Sequence, residues 1–298
     1  MKSILITGNC GLVGRSLTPI LEGKGYTIKG LDLANGTGDI CNAQHLKATL
    51  KDCIGVIHLA AVSRVVWGQQ NPNLCWQTNA IASEDLLKLA LESPLNPWVL
   101  VASSREVYGE ARVLPVAEFA PLNPTNIYGL SKKYMEEKAL ESREAGLNTA
   151  VVRLSNVYGC TQDHRDRVLP AFCYNASNNL DLRVDGKENL FDFTHIYDVA
   201  CGLTLVVEQL ESGERNLPPL HLLPGIGTTL GQAALLAINA ANSHSRIIEA
   251  PSRSYDVTRF VGNPDLAKQI LGWHASVTPD QGIKKLVEAF KEKAKNHS

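Results

Sequence analysis

An apolar run that stops on glycine restricts this chain to few folds. Residues 3–7 read Ser-Ile-Leu-Ile-Thr, glycines follow at positions 8, 11 and 14, and residues 13–23 carry apolar side chains at helical spacing. A strand that enters a helix through a glycine-rich turn opens a βαβ unit. Glycine lets the backbone turn tightly and approach a pyrophosphate, while the helix N-terminus offers N–H donors and a favourable dipole. Gly8, Gly11, Leu12, Val13 and Gly14 are therefore candidate contacts to a dinucleotide.

The alternation continues. Strand-like runs fall at 27–33, 55–59, 98–102 and 149–154, with helical patterns at 44–50, 82–91 and 131–144. Repeated units of this kind predict an α/β fold, a Rossmann-type doubly wound parallel sheet covered by helices on both faces. After residue 157 the rhythm changes. Polar clusters at 161–167 and 175–179 precede a strand-like run, a helix at 196–210 and an apolar run at 220–223, and helical patterns return at 265–271 and 281–293. The division expected is a dinucleotide-binding domain from residues 1–157 plus 191–223. A smaller C-terminal substrate lobe would come from 158–190 plus 224–298.

Composition removes several functional classes. With 298 residues the chain holds one or two domains, and a net charge of −1 gives no non-specific grip on nucleic acid or an anionic membrane. Seven cysteines without a CxxC pair argue against a disulfide framework and for a reducing compartment. The first apolar stretch is too short for a signal-peptide core, and no run approaches the ~20 residues that span a bilayer, so a cytoplasmic location is expected. Eight histidines show no metal-ligand spacing, and no catalytic metal is expected.

Two further clusters carry chemistry. Asp32 ends the second strand, where a carboxylate accepts hydrogen bonds from ribose hydroxyls and repels a 2′-phosphate. No arginine follows at once, which favours NAD over NADP. Asp39 and Ile40 are candidates for the adenine edge. Tyr128 and Lys132 are four residues apart, on one face of a helix. A tyrosine titrates near pH ~10, and a nearby ammonium and cationic nicotinamide favour the phenolate that takes a proton from an alcohol. Ser103, Ser104 and Glu106 follow the run at 98–102, beyond the carboxyl end of a strand, where ligands of such sheets bind. A Tyr-x-x-x-Lys spacing alone is common by chance, and a Ser-Ser pair alone is turn chemistry. Their order after a dinucleotide turn gives them meaning.

Together these segments resemble the extended short-chain dehydrogenase/reductase family, in particular its NAD-dependent nucleotide-sugar epimerases and dehydratases. The resemblance covers nearly the whole chain: TGNCGLVG at 7–14, HLAA at 58–61, SSREVYG at 103–109, YGLSK at 128–132, RLSNVYG at 153–159, FDFTHIYDVA at 191–200 and ILGW at 270–273. It implies Tyr128 as base, Lys132 as holder of the nicotinamide ribose and Ser104 as hydroxyl partner. Leu59, Ala60 and Ala61 join the cofactor contacts. Ser103, Asn156 and Arg253 join the substrate contacts, Arg253 with Asp256 in the pattern PSRSYDV. His58 and His195 also fall in family motifs. The chain departs from the pattern at Phe191, where the family usually has arginine, so one expected phosphate contact is missing. Arg167 and Arg183 are possible substitutes.

The resemblance implies a nucleotide-sugar epimerase, with C4 as the expected centre. Glu106, two residues after Ser104, motivates an alternative, a dehydratase or decarboxylase of the same fold. The dehydratase pattern, however, has Asp where this chain has Arg105. A catalytically silent NAD-binding sensor is the third reading, and the intact Tyr128 and Lys132 count against it. The family also implies a homodimer paired through helices 82–91 and 131–144, with Leu86, Leu87, Leu89 and Ala90 on an apolar face.

Overall fold

The structure is a computed structural model and describes residues 2–253, 255 and 257–296. Asp256 lies outside the described residues. The first half runs β1 (Ser3–Thr7), α1 (Leu12–Gly23), β2 (Thr27–Leu31), α2 (Ala43–Leu50), β3 (Cys53–His58), α3 (Val65–Gln70), α4 (Pro72–Trp76), α5 (Ala82–Leu91), β4 (Trp98–Ser104), α6 (Ile127–Glu144) and β5 (Thr149–Leu154). There follow β6 (Asn156–Tyr158), α7 (Val168–Ser177), β7 (Leu182–Asp185), β8 (Leu190–His195), α8 (Ile196–Glu211), β9 (Leu220–Leu222), β10 (Gly227–Thr229), α9 (Leu230–Ala241), β11 (Ile247–Ala250), β12 (Arg259–Phe260), α10 (Asp265–Leu271) and α11 (Pro279–Lys295).

Six strands form one parallel sheet in the order β2-β1-β3-β4-β5-β9. This is the doubly wound sheet that the alternation predicts. Its strands are apolar because both faces are covered. All seven residues of β4 are buried. One face packs Ile4, Ile6, Leu100 and Val152 under α1 and α8. The other packs Leu5, Val56, Val99 and Val101 under α2, α5 and α6.

Beyond the sheet's carboxyl edge, β8 lies between β10 and β12 and also pairs with β6, while β7 pairs with β11. Helices α7, α9 and α11 pack together there around Phe172, Ala233, Ala237 and Leu286. Residues 191–223 divide between the two regions: β8 joins the second sheet, and β9 completes the first. A buried carboxylate ties the second region together. Asp192 accepts N–H bonds from Ile226 at 3.0 Å and Gly262 at 2.8 Å, and burial pushes its carboxyl up to about 7.

Several boundaries differ from the sequence pattern for local reasons. Helix α6 starts at Ile127, a turn earlier than the charged stretch, because Asn126 caps it by accepting the Gly129 N–H at 2.8 Å. Strand β2 stops at Leu31 because Asp32 accepts the Ala34 N–H at 2.8 Å and starts a short helical turn. Helices α7 and α9 escape the pattern because they have little polar face. The sequence of α9, LGQAALLAINAA, is packed between neighbours, and its start is set by a capping box of Thr229 and Gln232. Leu86, Leu87 and Ala90, read as a partner-facing stripe, are buried against the protein's own sheet, and Leu89 is partly buried beside them.

Helix α6 is held by an ion pair inside the core. Arg153 of β5 donates to Glu136 of α6 from Nε at 3.0 Å and from Nη2 at 2.6 Å. Its Nη1 donates to Tyr108 Oη and to the Glu118 carbonyl, both at 2.6 Å. Tyr108 Oη in turn donates to His221 Nε2 at 2.6 Å, since burial holds His221 down at about 4 and hence neutral.

Candidate active site

The sheet's carboxyl edge and the second region enclose a cleft of about 870 Å³. Its lining includes every residue that the sequence nominates for cofactor, catalysis or substrate: Gly8, Gly11, Leu12, Val13, Gly14, Asp32, Asp39, Ile40, Leu59, Ala60, Ala61, Ser103, Ser104, Glu106, Tyr128, Lys132, Asn156 and Arg253. Arg167, Arg183 and Phe191 line it too. His58 and His195 serve elsewhere. His58 bonds Thr7 Oγ1 at 2.7 Å and Ser83 Oγ at 2.8 Å below the strand ends, and His195 caps α8. Burial and the Lys132 charge hold His58 down at about 3. The Ser83 hydroxyl donates to the Asn79 carbonyl, so the neutral imidazole carries its proton on Nε2.

The groove beside β1 fits a dinucleotide. A Cβ on Gly8, which has φ +73°, would meet Ala60 N at 2.7 Å, and one on Gly14 would meet Asn9 Cα at 2.5 Å. The turn therefore tolerates no side chain at either place. Helix α1 begins with no side-chain cap and no acidic residue in its first turn, and Leu12, Val13 and Gly14 border the cleft. Uncapped first-turn N–H groups at a helix start suit a pyrophosphate. Asp32 stands at the end of β2 and is positioned by the Cys10 N–H, which it accepts at 2.8 Å.

The residues nominated for catalysis lie at the tip of β4 and the start of α6. Lys132 Nζ donates to the Ala102 carbonyl at 2.8 Å, and burial pulls its ammonium down to about 8. Burial pushes the Tyr128 phenol up to about 12. The neighbouring Ser104 hydroxyl and the Arg167 cation pull it back, while the Glu106 charge raises it. Gly129 makes this approach possible, since a Cβ there would meet the Glu106 carbonyl at 2.6 Å. Glu106 is buried, with Oε1 at 2.9 Å from Arg105 Nη2 and Oε2 accepting Asn126 Nδ2 at 2.9 Å. Ser103 Oγ is buried without a hydrogen-bond partner among the described residues.

Sequence reasoning missed the contacts that residues 162–166 make along the cleft lining. Asp166 pairs with Arg64, the His164 ring meets Trp67 edge-on at 4.8 Å, and Gln162 accepts from Arg15 at 2.8 Å. These partners are about a hundred or more residues apart, and no local spacing joins them. Asn126 was missed as well, because the helical pattern read from the sequence began only at 131, while α6 begins at Ile127 directly after this capping residue.

The profile of the NAD dependent epimerase/dehydratase family matches residues 4–217. The chain belongs to this family. It is an NAD-dependent enzyme of the epimerase/dehydratase type, acting in nucleotide-sugar chemistry. UDP-glucose 4-epimerase from Corynebacterium glutamicum is 26% identical over 91% of this chain and 90% of its own length. UDP-glucuronic acid decarboxylase 1 from Danio rerio is 26% identical over 97% of this chain and 72% of its own. Among solved structures, UDP-glucose 4-epimerase from Thermotoga maritima with UDP-glucose superposes with a TM-score of 0.91 at 26% identity, covering 98% of this chain and 99% of the other. No helix among the described residues is long and apolar enough to cross a membrane.

The depressed Lys132 makes a testable statement about pH. Its folded-state pKa of about 8 lies below the ordinary 10.5, so the buried charge opposes folding in full below pH 8. The penalty fades as pH rises from about 8 toward 10.5, because the unfolded chain then holds a proton that the folded one does not. Lys132→Met should therefore melt higher than wild type at pH 7, with the gap shrinking by pH 9.5. Thermal unfolding at both values checks this, and a gap that does not depend on pH would contradict it.

Proposed function

We propose that the enzyme is a nucleotide-sugar 4-epimerase that works through Ser104, Tyr128 and Lys132. The observation that carries this reading is that Ser104, Tyr128 and Lys132 line one wall of the same cleft, with Lys132 one turn beyond Tyr128 along α6 and held on the Ala102 carbonyl. Gly8, Gly11, Leu12, Val13 and Gly14 would hold the pyrophosphate of NAD. Asp32 would hold a ribose, with Asp39, Ile40, Leu59, Ala60 and Ala61 along the groove. When bound, NAD supplies the hydride acceptor and donor. Tyr128 Oη, as the phenolate that a bound cationic nicotinamide would favour, would take the proton from the sugar hydroxyl and later return it. Ser104 Oγ holds the reacting oxygen, and Lys132 Nζ, anchored on Ala102, steadies the ribose beside it. Asn156 and Arg253 face the nucleotide diphosphate from the second region, since guanidinium suits phosphate. The central-sheet region binds the dinucleotide and the second region the sugar nucleotide.

A second reading, dehydration or decarboxylation, draws support from Glu106 in the same cleft. Against it, both carboxylate oxygens are engaged, by Arg105 and by Asn126. A guanidinium stays protonated and cannot hand a proton to a departing hydroxide, so position 105 supplies no acid for dehydration.

Pairing of two chains through α5 and α6 belongs to the same proposal. Leu91, Leu130 and Leu140 are 39%, 45% and 36% exposed along these helices. Sedimentation at micromolar concentration should give twice the 32.4 kDa chain mass, and a monomer would refute the pairing. For the chemistry, NAD-loaded enzyme should interconvert 4-epimers within a panel of UDP- and dTDP-sugars at unchanged product mass. Tyr128→Phe should lower kcat by roughly 10²–10⁴-fold. Glu106→Gln should cost far less, with melting temperature recorded beside it. Loss of water or carbon dioxide from the product would overturn epimerisation, unchanged turnover in Tyr128→Phe would remove Tyr128 as the base, and NAD binding with no turnover on any sugar of the panel would restore the sensor reading.

A further inference from the structure

A cation that the proposed proton transfer does not use stands beside the reacting hydroxyls. Arg105 directly follows Ser104, and its side chain, 11% exposed, lines the cleft. The guanidinium lies over the Phe191 ring, 4.5 Å from its centroid. Nη2 is 2.9 Å from Glu106 Oε1, while Nη1 is buried with no hydrogen-bond partner among the described residues. Glu106 does not complete the fork, because its second oxygen accepts from Asn126 Nδ2 at 2.9 Å. A charged donor left unmade in the interior is costly, and a guanidinium pairs best with an acceptor that meets both of its ends.

We propose that Arg105 recognises a carboxylate carried by the sugar, so that the enzyme's substrates are nucleotide-linked uronates. Glu106 is then the internal carboxylate that occupies the arginine until substrate enters. Rotation about the outer side-chain torsions turns Nη1 and Nη2 to the cleft, with Phe191 as a platform for the cation. One residue from Ser104, the arginine meets the sugar rather than the diphosphate. The inference rests on the nucleotide-sugar reading above.

The test is calorimetric titration of NAD-loaded wild type, Arg105→Met and Arg105→Lys with UDP-glucuronic acid, UDP-glucose and UDP. Wild type should bind UDP-glucuronic acid more tightly than UDP-glucose. Arg105→Met should lose about 10–100-fold in affinity for the uronate, the worth of a charge-assisted pair, and keep UDP-glucose and UDP within about threefold. Arg105→Lys should recover part of the loss, which a merely loop-shaping arginine would not show. Equal weakening of all three ligands would assign Arg105 to the diphosphate and overturn the proposal, as would unchanged uronate affinity. If wild type binds none of these ligands and no dTDP-glucose, the nucleotide-sugar reading itself fails, and this inference with it.

Discussion

The Glu136–Arg153 ion pair fastens the helix on which the whole site depends. Tyr128, Lys132 and Glu136 are spaced by four along α6 and so share a face. The first two point their chemistry at the cleft, and the third anchors the helix to β5 with both side chains almost wholly buried. Removing one partner of such a pair leaves an uncompensated charge and typically costs ~3–5 kcal/mol. Arg153 also reaches Tyr108 and Glu118, so one guanidinium sets the helix, the turn after β4 and the loop beyond it in a single register. The site's geometry is thus decided some way behind the atoms that react.

In front of that anchor the electrostatics are unfavourable to folding and useful to chemistry. Lys132 is a cation with a carbonyl for company, and Tyr128 is a phenol whose ionisation the surroundings resist. Groups held away from their resting pKa values gather at functional sites, because protons move readily there when a further charge arrives. Glu106 and Arg105 add a second charged couple a few atoms from the first. The cleft therefore brings Tyr128 and Lys132 together with a buried Arg105–Glu106 ion pair in one enclosure.

Much of this was legible before any coordinates. The glycine spacing after β1 marked a tight strand-to-helix turn, and the backbone there does pass within contact of Ala60 and Asn9. The Tyr-x-x-x-Lys spacing was readable because a helix converts four residues into one face. What stayed hidden depends on long-range packing. The Arg64–Asp166 pair joins two parts of the cleft lining that are 102 residues apart in sequence. Helix α9 shows no clean polar stripe because its exposed face carries Leu235 between Gln232 and Asn239, which blurs the periodicity that reveals a surface helix. Leu86 and Leu87 misled for a related reason, since an apolar stripe does not say whether it faces its own sheet or a second chain.

If the enzyme is a 4-epimerase, a hydride leaves a sugar carbon and returns to it within one site. A nucleotide sugar carrying deuterium at C4, turned over by NAD-loaded enzyme, tests this most directly. The account predicts that the label stays on C4 of the epimerised product, with no reduced cofactor released to solution. Deuterium exchanged into water, or product formed with the label lost from C4, would contradict it.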